Sequence, residues 1–109
     1  MLSLQALLNL QKELDGHFQS VSEISKSEKL TADILALMVE TGELANEIQV
    51  HKYWKRNKHT NKTKEGKELV DILFFWLNIA NALGYSGEDL ERLYLEKYEE
   101  NRMRLNEGY

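Results

Sequence analysis

The chain has no cysteine and no proline among its 109 residues. The missing cysteines exclude disulfides and thiolate metal sites, so any metal must be held by oxygen or nitrogen ligands. The missing proline means that no residue forces a helix to break. The 6 glycines are scattered. No apolar run approaches the roughly 18 residues that a membrane span needs. The N-terminus lacks the basic stretch and small-residue cleavage site of a secretory signal. These absences make a soluble, cytoplasmic protein with no membrane partner the expectation. With 18 acidic against 14 basic residues the net charge is −4, which argues against a nucleic-acid partner.

What is present favours helix. Hydrophobic residues make up 42% of the chain, and Leu, Glu, Lys, Ala and Gln are plentiful. The length suits a single domain over residues 1–109. Helical periodicity predicts a first helix from about Ser3 to Ser20, carrying Leu4, Leu7, Leu8, Leu14 and Phe18 on one face. A second is predicted from Glu28 toward Trp54. A polar loop, 57–63, leads to a third that starts near Lys64 with Thr63 as its cap. Val70 to Ile79 make this helix nearly apolar all round, with Trp76 read as core. Gly84 ends it, and Ser86 with Asp89 opens a fourth as a capping box. The fold class is therefore all-α, a four-helix bundle. So small a chain is expected to complete its core by oligomerising.

Polar residues interrupt each apolar face. Glu40 and Glu43 are three residues apart, as are Glu68 and Asp71, and residues so spaced share a helix face. Gln11 sits within the apolar face of the first helix. Asn78 lies one heptad beyond Asp71, and Lys97, Asn101 and Arg104 line up on the fourth helix. A lone buried Gln is ordinarily a satisfied core amide, and i,i+4 Glu–Lys pairs are ordinarily surface decoration. Four helices aiming complementary polar groups inward favour a site over four coincidences. Unpaired buried carboxylates would cost several kcal/mol each.

Four carboxylates suit Mg²⁺, with two or more ions accommodated and Mn²⁺ a possible substitute. Lys52, Lys55, Lys97, Asn101 and Arg104 could neutralise a polyphosphate, Gln11 and Asn78 could read a base or sugar edge, and Trp54 could stack on a base. The chemistry using all these parts is metal-dependent hydrolysis of a nucleoside triphosphate. A di-iron carboxylate bundle needs Glu-x-x-His, and the fourth positions here are Glu43 and Asp71.

The acidic motifs resemble the signature of the all-α nucleoside-triphosphate pyrophosphohydrolases, which include the MazG-like enzymes and the dimeric dUTPases. Further matches are similar to the dUTPase branch. They are Leu10-Gln11 with Leu14-Asp15, the run from Glu40 through Asn46 to Glu47, and Lys52-Tyr53-Trp54-Lys55. They continue with Glu68-Leu-Val-Asp71, and with Lys97 through Asn101 and Arg104 to Gly108-Tyr109. The resemblance implies an all-α homodimer or homotetramer that cleaves dUTP to dUMP and pyrophosphate with Mg²⁺. It implies Glu40, Glu43, Glu68 and Asp71 as metal ligands, Glu43 also orienting or deprotonating the water. Gln11 and Trp54 would contact uracil, Asn78 the deoxyribose or base, and Lys52, Lys55, Lys97, Asn101 and Arg104 the phosphates. Two other readings stay open. One is a MazG-like house-cleaning enzyme acting on another nucleotide, such as dCTP or a damaged one. The other is a non-enzymatic helical interaction module.

Overall fold

In the computed structural model, which describes residues 1–58 and 60–108, a short polar side chain starts every helix. Ser3 caps α1 (Leu4–Ser20) and Ser25 caps α2 (Lys26–Ile48). Asn61 caps α3 (Lys62–Ala82), and Ser86 caps α4 (Gly87–Asn106). His59 and Tyr109, the last residue of the C-terminal match, lie outside the described residues. No strand occurs among the described residues, as the composition predicts.

Three boundaries differ from expectation. Helix α2 begins two residues before Glu28, because the Ser25 hydroxyl accepts the Glu28 N–H. It ends at Ile48 rather than near Trp54. There Gln49 takes the left-handed conformation (φ 56°) and turns the chain without a glycine. Helix α3 is capped by Asn61 rather than Thr63, its Oδ1 accepting the N–H groups of both Thr63 and Lys64. The other signals hold. Gly84 (φ 83°) closes α3 in a Schellman turn, with Tyr85 N–H donating to the Ala80 carbonyl. Ser86 and Asp89 form the predicted capping box. The hydrogen bonds that Ser86 donates hold the Asp89 carboxyl below its ordinary pKa.

Helix α3 is the hub. It packs against α2 along one side and α1 along another, while the backbones of α1 and α2 stay apart. The small core is Leu8, Leu77 and Ala80, flanked by Leu4, Leu7 and Leu90. Helix α4 bends away from α3 by 107°, and among the described helices its backbone approaches only α1. Its joint to α1 is tight. Gly87 N–H donates to Gln5 Oε1 at 2.7 Å, and a Cβ on Gly87 would come within 2.8 Å of the Gln5 backbone nitrogen. Gly87→Ala is therefore expected to cost about 1–3 kcal/mol of stability through overpacking, read by thermal melting. An unchanged melting temperature would mean the joint yields freely.

A single chain leaves much apolar surface uncovered. Its radius of gyration is 17.3 Å, against about 13 Å for a compact chain of this length. Leu35, Met38 and Val39 on α2 and Leu69 and Leu73 on α3 are all exposed. Trp76, expected in the core, is 39% exposed and lines an open apolar groove with Leu90, Leu93 and Tyr94. An all-round apolar helix is buried only if a neighbour covers every side, and α1 and α2 cover two. No single helix among the described residues is long and apolar enough to cross a membrane.

Candidate active site

The gap between α1 and α2 is a cleft of about 510 Å³ with α3 as its floor. Its size suits a small organic ligand. Its walls carry Gln11, Leu14, Asp15 and Phe18 from α1 and Lys29, Asp33 and Glu40 from α2. Its floor is Asp71, Phe74, Phe75 and Asn78. Helices α2 and α3 run antiparallel here, so Glu40 lies level with Asp71, and Asp33 lies level with Asn78. Each helix therefore places these two of its cleft residues seven positions apart, about 10 Å along the axis.

At one end, carboxylate oxygens of Glu40, Glu68 and Asp71 lie within 4.8 Å of one another. All three side chains are half-buried. The pKa of Glu40 is raised, by desolvation first and then by the negative charges of Asp71, Glu68 and Glu43. Like charges gathered this closely want a cation. The donor set is hard oxygen throughout, which fits Mg²⁺. Glu43 is exposed one turn further along α2 and stands outside the trio, though its charge reaches Glu40.

At the other end, Gln11 and Asn78 are both buried, and Gln11 Nε2 donates to Asn78 Oδ1 at 2.8 Å. Each amide thus spends one group on the other and keeps one group unspent. Every fully buried side-chain polar atom among the described residues has a partner, so Gln11 Oε1 and Asn78 Nδ2 are accessible. Beside them Lys29 Nζ bridges Asp15 Oδ2 at 2.9 Å and Asp33 Oδ2 at 2.5 Å. This bridge spans the cleft from α2 to α1. Asp15 belongs to the Leu14-Asp15 match, but Lys29 and Asp33 went unremarked in the sequence, where they look like any i,i+4 surface pair.

The remaining predicted residues lie outside the cleft of the same chain. Lys52 is half-buried and Lys55 exposed in the turns after α2, where Lys55 Nζ donates to Gln49 Oε1 at 3.2 Å. Trp54 is exposed and meets Tyr53 edge-on at 5.3 Å. Lys97, Asn101 and Arg104 were expected to point into a common interior. All three are exposed, on a helix that the Gly84–Ser86 turn directs away from the cleft. Lys97 pairs with Glu100 at 3.3 Å. Lys62 and Lys67 border a shallower depression that shares Asp71 and Phe74 with the cleft.

A family model described as dUTPase matches residues 3–86, which include the cleft and all four acids. The chain belongs to the dimeric, all-α dUTPase family. No curated protein matches it significantly. Membership makes the chain a hydrolase acting on nucleoside triphosphates, from a family that is generally metal-dependent and oligomeric. The acidic trio and the uncovered apolar surface of this dUTPase-family chain accord with both properties.

Proposed function

We propose that the protein is a Mg²⁺-dependent dUTP diphosphatase, converting dUTP and water to dUMP and pyrophosphate. The observation carrying this reading is that one cleft holds Glu40 and Asp71, with Glu68 adjoining them, at one end and a half-used amide pair at the other. The spacing of about 10 Å matches the reach from a nucleotide's phosphates to its base. Glu40, Glu68 and Asp71 would hold the metal, with Glu43 completing the set and orienting or deprotonating the attacking water. When bound, Mg²⁺ neutralises triphosphate charge and acidifies water. Gln11 and Asn78 present an acceptor and a donor to the base, while Phe74 and Phe75 exclude water beneath it. Lys52 and Lys55 approach the phosphates from the loop beyond the acids, and Trp54, exposed in that same loop, would stack on the base in the cleft of a second copy.

The protein acts as a homodimer or a homotetramer, one domain per chain. Lys97, Asn101 and Arg104 then serve the cleft of a second copy, since α4 leaves its own. The deciding experiment measures pyrophosphate release from dUTP, dTTP, dCTP and dATP, with and without Mg²⁺. Release from dUTP fastest, and only with metal, is expected. A flat nucleotide profile removes the uracil claim and leaves a MazG-like house-cleaning enzyme. No metal-dependent release from any nucleotide overturns the enzymatic reading and favours a helical interaction module.

A further inference from the structure

The Asp15–Lys29–Asp33 bridge has more chemistry than a tie between two helices requires. An ammonium group has three N–H donors. Lys29 uses one on Asp15 and one on Asp33, and no described group takes the third. The Lys29 side chain is 16% exposed, and the residue lines the cleft beside Gln11 and Asn78. Burial pulls its pKa down, but the hydrogen bonds and charges of Asp33 and Asp15 outweigh that and raise it. Lys29 is therefore a fixed, permanently charged donor at the base end of the cleft.

Lys29 adds a third group to the same part of the cleft lining. The free groups at that end are a donor (Asn78 Nδ2), an acceptor (Gln11 Oε1) and a donor (Lys29 Nζ). The uracil edge offers acceptor, donor, acceptor through its 2-oxo, N3–H and 4-oxo groups. Cytosine places an amino donor where uracil has the 4-oxo acceptor, and an acceptor where uracil has N3–H. A charged donor set against an amino group leaves both without a partner, a mismatch that sites of this kind reject strongly.

We propose that Lys29 determines base specificity, donating its third N–H to the 4-oxo group of the pyrimidine while Asp15 and Asp33 hold it in place. This inference rests on the proposed function and deepens it. It carries a corollary of opposite sign. Without the lysine, Asp15 and Asp33 keep acceptor oxygens at the same place, and a 4-amino group is what they would accept from.

The test measures binding of dUMP and dCMP by titration calorimetry, which needs neither metal nor turnover, alongside kcat and KM for dUTP and dCTP. The proteins are wild type, Lys29→Met, and Lys29→Met combined with Asp33→Asn. The double variant removes one unpaired carboxylate and carries the test if the single variant folds poorly. The expected result is a roughly tenfold or greater loss of dUMP affinity, with dCMP affinity unchanged or improved. KM for dUTP should rise with little change in kcat. A lower melting temperature with an unchanged dUMP to dCMP ratio would reduce the bridge to a structural tie and overturn the proposal. Wild type hydrolysing dUTP while folded Lys29 variants keep its base preference overturns Lys29 alone. Wild type that neither binds nor hydrolyses pyrimidine nucleotides overturns the proposed function with it.

Discussion

Replacing Glu40 with Gln is expected to remove dUTP hydrolysis while raising the stability of the metal-free protein. Glu40 is the member of the acidic trio that feels every other acid. Burial and then the charges of Asp71, Glu68 and Glu43 all raise its pKa. Its ionised form is therefore a cost in the absence of a cation and a ligand in its presence. Even residues one shell out from a metal typically contribute about 10- to 100-fold, so losing a ligand should cost at least a hundredfold. The amide keeps the shape and discards the repulsion.

The pH dependence follows from the same shift. A carboxyl whose pKa is raised on folding favours the fold when protonated. Its contribution is fully present below the ordinary value of 4.5 and is lost as pH rises through the higher, folded-state value. The melting temperature of metal-free wild type should therefore fall relative to Glu40→Gln as pH rises from about 4 to neutrality. Added Mg²⁺ should restore wild type at neutral pH and leave the variant unmoved. Calorimetric melting at several pH values with and without Mg²⁺ reads both effects. A variant that unfolds, or one that still turns over dUTP, sinks the metal assignment.

Mixing two inactive variants should regenerate activity. Glu40→Gln spoils the acids of its own cleft. Lys97→Ala with Asn101→Ala spoils the α4 groups proposed to reach a neighbour's phosphates. Since the backbone of α4 approaches only α1 among the described helices and α4 diverges by 107° from α3, a chain does not offer these groups to its own acids. In a mixed dimer, one cleft then combines intact acids from one copy with an intact α4 from the other. Random exchange in a dimer would return roughly a quarter of wild-type activity. If subunits exchange, as native mass spectrometry would show, and no activity returns, each cleft is completed within its own chain.

The parts of the site legible in the sequence are those where a polar side chain breaks an apolar face. Gln11, Asn78, Glu40, Glu68 and Asp71 all stood out for that reason, and the cleft holds or adjoins each of them. Lys29 and Asp33 did not, because an i,i+4 lysine–aspartate pair on a wheel looks the same whether solvent or a cleft lies beside it. The direction of α4 was equally hidden. Helical periodicity says which residues share a face, but the chain turn at Gly84 decides where that face points. The end of α2 escaped notice since Gln49 adopts a left-handed conformation that few side chains signal.

The two rungs of the cleft, Asp33 level with Asn78 and Glu40 level with Asp71, have a consequence for how such a chain can change. Both uprights set their rungs seven positions apart, so together they work as a length gauge for whatever lies between base and phosphate. Substitutions at the intervening positions 34–39 and 72–77 leave the gauge intact. A single inserted or deleted residue there would slide one rung by about 1.5 Å and swing it by about 100°. New substrates should therefore arise through changed letters at the base-end rung, and almost never through a changed count between the two.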